Sequence, residues 1–342
     1  ERGAMIDLGW VTPTAINNRG QIVGEDDIAE SGYVYDFYPF LWENGIMTKL
    51  ETPDSGTAYG INERGQVVGA WWSSGWRAFL WQKGRVTDLG TLGGDTSWAS
   101  GINDRGQVVG WSEIASGESH AFLWQKGRMT DLGTLGGGWS DAYGINASGQ
   151  IVGASTTGDG YVHAFLWENG GMADLGTLGG GESYGIRIND LRQVVGLSNT
   201  AVGVAHAFLW EKGTMTDMGT LGGNESYALG INDLGQVVGA SQPGPAKKVH
   251  AFLWKNGLMA DLGTLGGRES YAWAVNNLGQ VAGYSDTARG QTHAFLWKDG
   301  AMTDLGTLGG RLSFAYAVNN QGQIVGASYT ASGSEHACLW SP

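Results

Sequence analysis

The six histidines carry the most recognisable chemistry in this 342-residue chain, and all six occupy one repeated position: His120, His163, His206, His250, His293 and His336. Each has a serine before it and an aspartate after it, as in Ser112, His120 and Asp131. One such set would read as a hydrolytic triad, in which serine attacks, histidine takes the proton and aspartate orients the ring. Six equivalent sets argue the opposite, because one molecule does not need six equal nucleophiles. The set also changes as a unit. The first copy has Asp26, Tyr38 and Lys49 in these places, and the second puts Trp71 and Arg77 where serine and histidine stand elsewhere. The expectation is a hydrogen-bonded clamp between strands, as buried polar groups require. Histidines on six separate repeats do not converge on one metal.

Three other patterns invite a chemical reading. The Asn-Asp-x-Gly segments, such as Asn103-Asp104-Arg105-Gly106, offer oxygen ligands for calcium. Their simpler reading is a glycine-requiring turn, so no cofactor is expected and calcium is the weak alternative. Gly90-Thr91-Leu92-Gly93-Gly94 and its copies suggest a phosphate cradle, but they lack the Lys-Ser/Thr and the helix of a P-loop. They read as crossovers between repeats. Glu182, Glu225 and Glu269 with Arg187 could supply a general acid, a base and a charge stabiliser for glycan cleavage. The three glutamates sit at equivalent repeat positions, which weakens that reading.

These residues ride on a repeat that covers nearly the whole chain. Phe-Leu-Trp or a close variant ends at Trp42, Trp81, Trp124, Trp167, Trp210, Trp254, Trp297 and Trp340, with spacings of 39 to 44 residues. A Gln-Val-Val-Gly-like tetrad and an Asp-Leu-Gly-like segment recur equally often. Each repeat reads as four short strands: runs of five or six aliphatic and aromatic residues punctuated by Gly, Asn and Asp. No stretch has the length and period of an amphipathic helix. Four strands in about 43 residues predict one blade of a β-propeller. The expected fold is therefore all-β: an eight-bladed propeller in one domain spanning 1–342. The chain opens on an outermost strand, Met5–Gly9, and ends on a third strand, so residues 1–9 are expected to latch onto the last repeat and close the ring. A β-solenoid is the alternative.

Composition limits the function. Sixty glycines without a Gly-x-y period exclude collagen, and 42% hydrophobic residues with 16 tryptophans exclude a disordered tail. A net charge of −13 repels phosphate backbones, so nucleic acid is not an expected partner. No apolar run reaches the roughly 18 residues of a membrane span. The lone Cys338 rules out an intramolecular disulfide framework. A chain that begins at Glu1 is expected to be processed or trimmed, and a monomer is expected.

His-Ala-Phe-Leu-Trp, Asp-Leu-Gly-Thr-Leu-Gly-Gly and Gly-Ile-Asn-Asp-x-Gly-Gln-Val-Val-Gly together resemble the HAF family of extracellular repeat proteins. The resemblance spans the whole chain. Repeats 1 and 2 depart from it, with Tyr38-Pro39-Phe40 and Arg77-Ala78-Phe79 in place of His-Ala-Phe. It implies a bacterial, secreted or surface setting and carries over no catalytic residue.

Function is sought where the repeat breaks. Eight tryptophans lie outside Phe-Leu-Trp: Trp10, Trp71, Trp72, Trp76, Trp98, Trp111, Trp139 and Trp273, seven of them within the first 139 residues. Asp27 and Asp36 fall in the long first inter-strand loop, Asp141 stands near the same expected rim, and Arg187 replaces a residue that is Gly or Ala in other repeats. Exposed aromatics beside carboxylates suit sugars, whose rings stack and whose hydroxyls donate. Trp10, Asp27, Asp36, Trp71, Trp72, Trp76, Trp98, Trp139, Asp141, Arg187 and Trp273 are the expected ligand contacts, with Trp72 and Trp76 foremost. A carbohydrate-binding propeller is the leading expectation; a glycan-cleaving enzyme and a protein-interaction scaffold are the alternatives.

Overall fold

The computed structural model describes residues 4–28, 36–244 and 248–341, and leaves undescribed the side chains of residues 27, 28 and 36. Among the described residues all regular structure is strand. Each sequence repeat becomes a four-stranded antiparallel meander. The sixth consists of Ser226–Ile231, Val237–Ser241, His250–Lys255 and Leu258–Asp261, paired in that order. Its last hairpin turns at Asn256 and Gly257, both at positive φ (51° and 81°), the combination a two-residue turn between twisted strands demands.

The chain forms two compact units. One holds residues 13–176, the other residues 1–12 and 177–342. Within the second unit, Met5–Gly9 pairs antiparallel with Glu335–Trp340, Met5 opposite Trp340 and Asp7 opposite Cys338, so the N-terminal segment supplies the fourth strand of the last meander.

The core lies between consecutive meanders. Val195, Ala207, Leu209 and Met218 of one meet Ala228, Val237 and Phe252 of the next. The same arrangement joins Val68, Ala78, Leu80 and Leu89 to Ala99, Val108 and Phe122 in the other unit. A four-stranded sheet has two faces, and each neighbour buries one. This is why Phe252 and Leu253, on opposite faces of one strand, are both buried.

Polar side chains stitch the meanders at both ends. Ser226 Oγ accepts from Ala207 N (2.8 Å) in the preceding meander and donates to Gly219 O (2.6 Å) in the crossover. At the opposite end, Asn232 Nδ2 donates to Asn276 O (2.8 Å) of the next meander. The Asn oxygen accepts from Leu234 N and Gln236 N and so shapes its own turn. Asn17, Asn62, Asn103, Asn189 and Asn276 make the same bond to the next meander.

The glycine of Gln-Val-Val-Gly answers to a close approach. The first strand bulges between Ala228 and Gly230, which brings Tyr227 O to 1.9 Å from where a Cβ on Gly239 would sit. The crossover differs from its expected form in one respect. Its two closing glycines already belong to the next strand, as in Gly93–Ile102, where Gly93 pairs with Ile114.

Candidate functional site

The histidine sets resolve into pairs. His206 Nδ1 lies 2.9 Å from both carboxylate oxygens of Asp217, and the other five histidines repeat this, His336 meeting Asp7 across the chain ends. The serine takes no part. Ser198 Oγ accepts from Leu178 N (2.9 Å) and donates to Glu182 O (3.2 Å), holding the crossover instead. The expected three-way clamp is therefore two devices, and no triad forms. The variant copies keep the strand tie with other chemistry. Arg77 reaches Asp88 at 3.1 Å, and the Lys49 ammonium stands 3.1 Å from the centre of the Tyr38 ring.

Of the catalytic candidates, Glu225, Glu269 and Arg187 each have a partner outside the set. Glu225 accepts from the Tyr227 hydroxyl (2.8 Å), Glu269 pairs with Lys248 (2.8 Å), and Arg187 donates to the carbonyl of its neighbour Ile186 (3.0 Å). Arg187 is exposed to solvent. Asp141 is different. One of its oxygens is buried with no hydrogen-bond partner among the described residues, and burial pushes its carboxyl up to about 7 against the opposing bond from Ala142.

The aromatic candidates separate into three fates. Trp71 was expected at a ligand surface, but it is 4% exposed and packs on Phe79. It stands where other repeats place a fully buried serine, so its ring has to enter the core.

Trp72, Trp76 and Trp98 do come together, in the unit of residues 13–176. The second meander's Val67–Trp72 and Trp76–Gln82 are joined by a tight hairpin that sets Trp72 opposite Trp76. Trp76 is the hub. Phe37 stacks on it at 6.3 Å, Trp72 meets it edge-on at 5.7 Å, and Trp98 meets it edge-on at 4.9 Å. Tyr59 extends the run, 4.8 Å from Trp98. Five aromatic rings thus form one belt across three consecutive meanders, with Trp72 47% exposed at its edge. Carboxylates flank it. Glu25 accepts from the Thr57 hydroxyl and, after burial, contributes to pushing Tyr59 up to about 12. Glu113 accepts from the backbone N–H groups of Asp95 and Thr96 (3.2 Å each). Trp139 is half-buried in this unit, its backbone N–H donating to Thr156 Oγ1 (2.9 Å). Asp27 and Asp36 were expected in a loop but lie on the paired strands Ile22–Ile28 and Asp36–Glu43, and their side chains lie outside the described residues.

Trp10 and Trp273 belong to the other unit. Trp10 is 63% exposed and leans on His336 at 5.3 Å. Trp273 joins Tyr284, Phe314 and Tyr316 around a cavity of about 310 Å³. The sequence reading missed these last three, and also Tyr59 and Phe37, because aromatic residues are ordinary strand formers. For Phe314 a usable signal existed: the place of Trp98 in the repeat is held by Asp141, Tyr184, Tyr227, Tyr271 and Phe314 in later copies, a position that changes while the serine before it stays fixed.

No family model and no curated protein matches the sequence. Solved structures do. The β-propeller domain of the Trilobed protease from Pyrococcus furiosus, described as having an open velcro topology, superposes with a TM-score of 0.55 at 10% identity, over 88% of this chain and 97% of that one. Pyrococcus horikoshii acylaminoacyl peptidase gives 0.54 at 11% identity, over 94% and 58%. A Mycobacterium tuberculosis puromycin-hydrolyzing peptidase gives 0.51 at 11%, over 95% and 57%. The chain thus spans little more than half of either peptidase. The shared feature is the fold, a β-propeller.

Proposed function

We propose that this chain is an extracellular, carbohydrate-directed β-propeller of the HAF-repeat type, with the belt of Phe37, Tyr59, Trp72, Trp76 and Trp98 as its ligand surface. The observation that carries the reading is the continuity of that belt. Five rings linked by four contacts across three meanders, edged by an exposed tryptophan, make an apolar patch of the kind that marks a contact site. Tryptophan and tyrosine present flat faces and polar tips, which suits a partner apolar on one side and hydroxylated on the other. Glu25 supplies an acceptor at the border, beside Tyr59. The eight repeats are the eight blades of one ring, closed by the pairing of Met5–Gly9 with Glu335–Trp340. Small-angle scattering of the full chain checks this: a profile unlike that of a closed ring would refute it.

The experiment for function is a glycan array followed by a product assay on each ligand found. The reading expects saturable retention of a glycan and no soluble fragments. Fragment release would make the protein an enzyme; no glycan retained would remove the carbohydrate assignment.

A further inference from the structure

We propose that the cavity walled by Trp273, Tyr284, Phe314 and Tyr316 is a binding site for a quaternary ammonium group. It is a second site, independent of the aromatic belt in the other unit.

Four rings line one open hollow of about 310 Å³, with Trp273 41% exposed at its mouth, at the small end of the roughly 300–1,000 Å³ typical of ligand pockets. Their planes differ. Tyr284 and Phe314 meet edge-on at 81° with centroids 5.2 Å apart, while Trp273 is tilted 36° from Tyr284 at 6.5 Å. Walls of varied orientation favour a compact, nearly spherical guest over a flat one. Aromatic faces carry negative charge density, and several of them together attract a cation strongly once water is removed.

The surrounding charge has the same sign. The carboxylates of Glu269 and Asp286 act on Tyr284, and that of Glu335 acts on Tyr316. Together with burial, the larger cause, they push both hydroxyls up to about 12. The two tyrosines stay neutral, and Asp286 and Glu335 leave negative charge beside the rings, whereas that of Glu269 is offset by its partner. The nearby cation Lys248 is held by Glu269 at 2.8 Å with a largely exposed side chain.

The walls also choose among cations. A primary ammonium brings three N–H donors, and those turned toward the rings rather than the open mouth find no good acceptor there. A quaternary ammonium has no donor and a methylated surface that packs on rings. A sugar brings several hydroxyls and meets the same difficulty as the primary amine.

The test is a pair of titrations of the full chain, followed by tryptophan fluorescence and calorimetry. One uses choline and the other 3,3-dimethylbutan-1-ol, its uncharged isostere. Choline is expected to saturate the site with a Kd at least tenfold lower than the isostere. Trp273→Ala should weaken choline at least tenfold, and Tyr316→Phe, which keeps the ring, by less than threefold. Should Trp273→Ala fail to fold, the pair Glu269→Gln and Asp286→Asn should weaken choline severalfold and leave the isostere unchanged. Equal affinity for the two probes, no saturable choline binding, unchanged binding in Trp273→Ala, or displacement of choline by a neutral oligosaccharide would each overturn the assignment.

Discussion

Replacing Asn232 tests how the meanders are joined. Its side chain is 4% exposed and makes four hydrogen bonds: Nδ2 donates to Gln236 Oε1 (2.7 Å) and Asn276 O (2.8 Å), and Oδ1 accepts from Leu234 N (3.1 Å) and Gln236 N (2.9 Å). In Asn232→Ala the Leu234 N–H can turn to water, since Leu234 is exposed. The buried Gln236 N–H cannot, while the Asn276 carbonyl keeps its bond from Gly279 N (3.0 Å). At about 1–3 kcal/mol for a buried group left unmet, the loss is about 1–3 kcal/mol. Asn232→Asp is more diagnostic. It keeps both acceptor bonds but turns an oxygen toward Gln236 Oε1 and Asn276 O. Ionisation is then opposed by burial and by those two oxygens, so the folded pKa lies above the unfolded value of about 3.9. The unfolded state loses its proton first. The variant is therefore closest to wild type below about pH 4 and loses ground as pH rises, until the folded group ionises too. Urea unfolding followed by tryptophan fluorescence at pH 4.5 and 7.5 reads both effects, provided the denaturant slopes match. A loss below about 0.5 kcal/mol in Asn232→Ala, or a pH-independent deficit in Asn232→Asp, would refute the stitching argument.

Three further outcomes follow from the geometry. Gly239→Ala should cost about 3 kcal/mol or more in the same urea assay, because its Cβ would fall 1.9 Å from Tyr227 O, a backbone atom; stability within 0.5 kcal/mol of wild type would disprove the close approach. His206→Ala should cost only about 0.5–1 kcal/mol, since the Asp217 side chain is 42% exposed, and His206→Arg should restore it in the manner of Arg77 and Asp88; a loss as large as that of Asn232→Ala would show a buried clamp. Asp141→Asn should match wild type near pH 4 and become the more stable protein as pH rises toward about 7, because the buried carboxyl must ionise only in wild type; a gap that does not change with pH in thermal melts would contradict that.

The strands were legible because the sequence states them many times over. Asn256-Gly257 can close only a tight hairpin, and Val237 and Val238 face both ways because a neighbour waits on each side. What the repeat could not tell was the direction of a hydroxyl. Ser198 and His206 do stand opposite each other across the strand pair, yet Ser198 bonds the Leu178 N–H of the crossover, a group left unmet otherwise. Trp71 was misplaced for a related reason: its being tryptophan outweighed its position, although the serine of that position is fully buried in other copies. The two aromatic clusters were only half visible. Trp72, Trp76 and Trp98 stand out as breaks in the repeat, whereas Tyr59, Tyr284, Phe314 and Tyr316 look like ordinary strand residues until neighbouring meanders set them side by side.

The central claim is that the aromatic belt is a carbohydrate-binding surface, and Trp72 tests it most directly. Its ring is 47% exposed and its one ring contact within the belt is with Trp76, so its removal leaves the packing of Phe37, Trp76, Trp98 and Tyr59 in place. The decisive measurement is calorimetric titration of wild type and Trp72→Ala with the glycan selected by the array, beside urea midpoints for both. The predicted result is at least a tenfold loss of affinity with midpoints that coincide. Unchanged affinity in a normally folded Trp72→Ala would contradict the claim and leave the belt as packing.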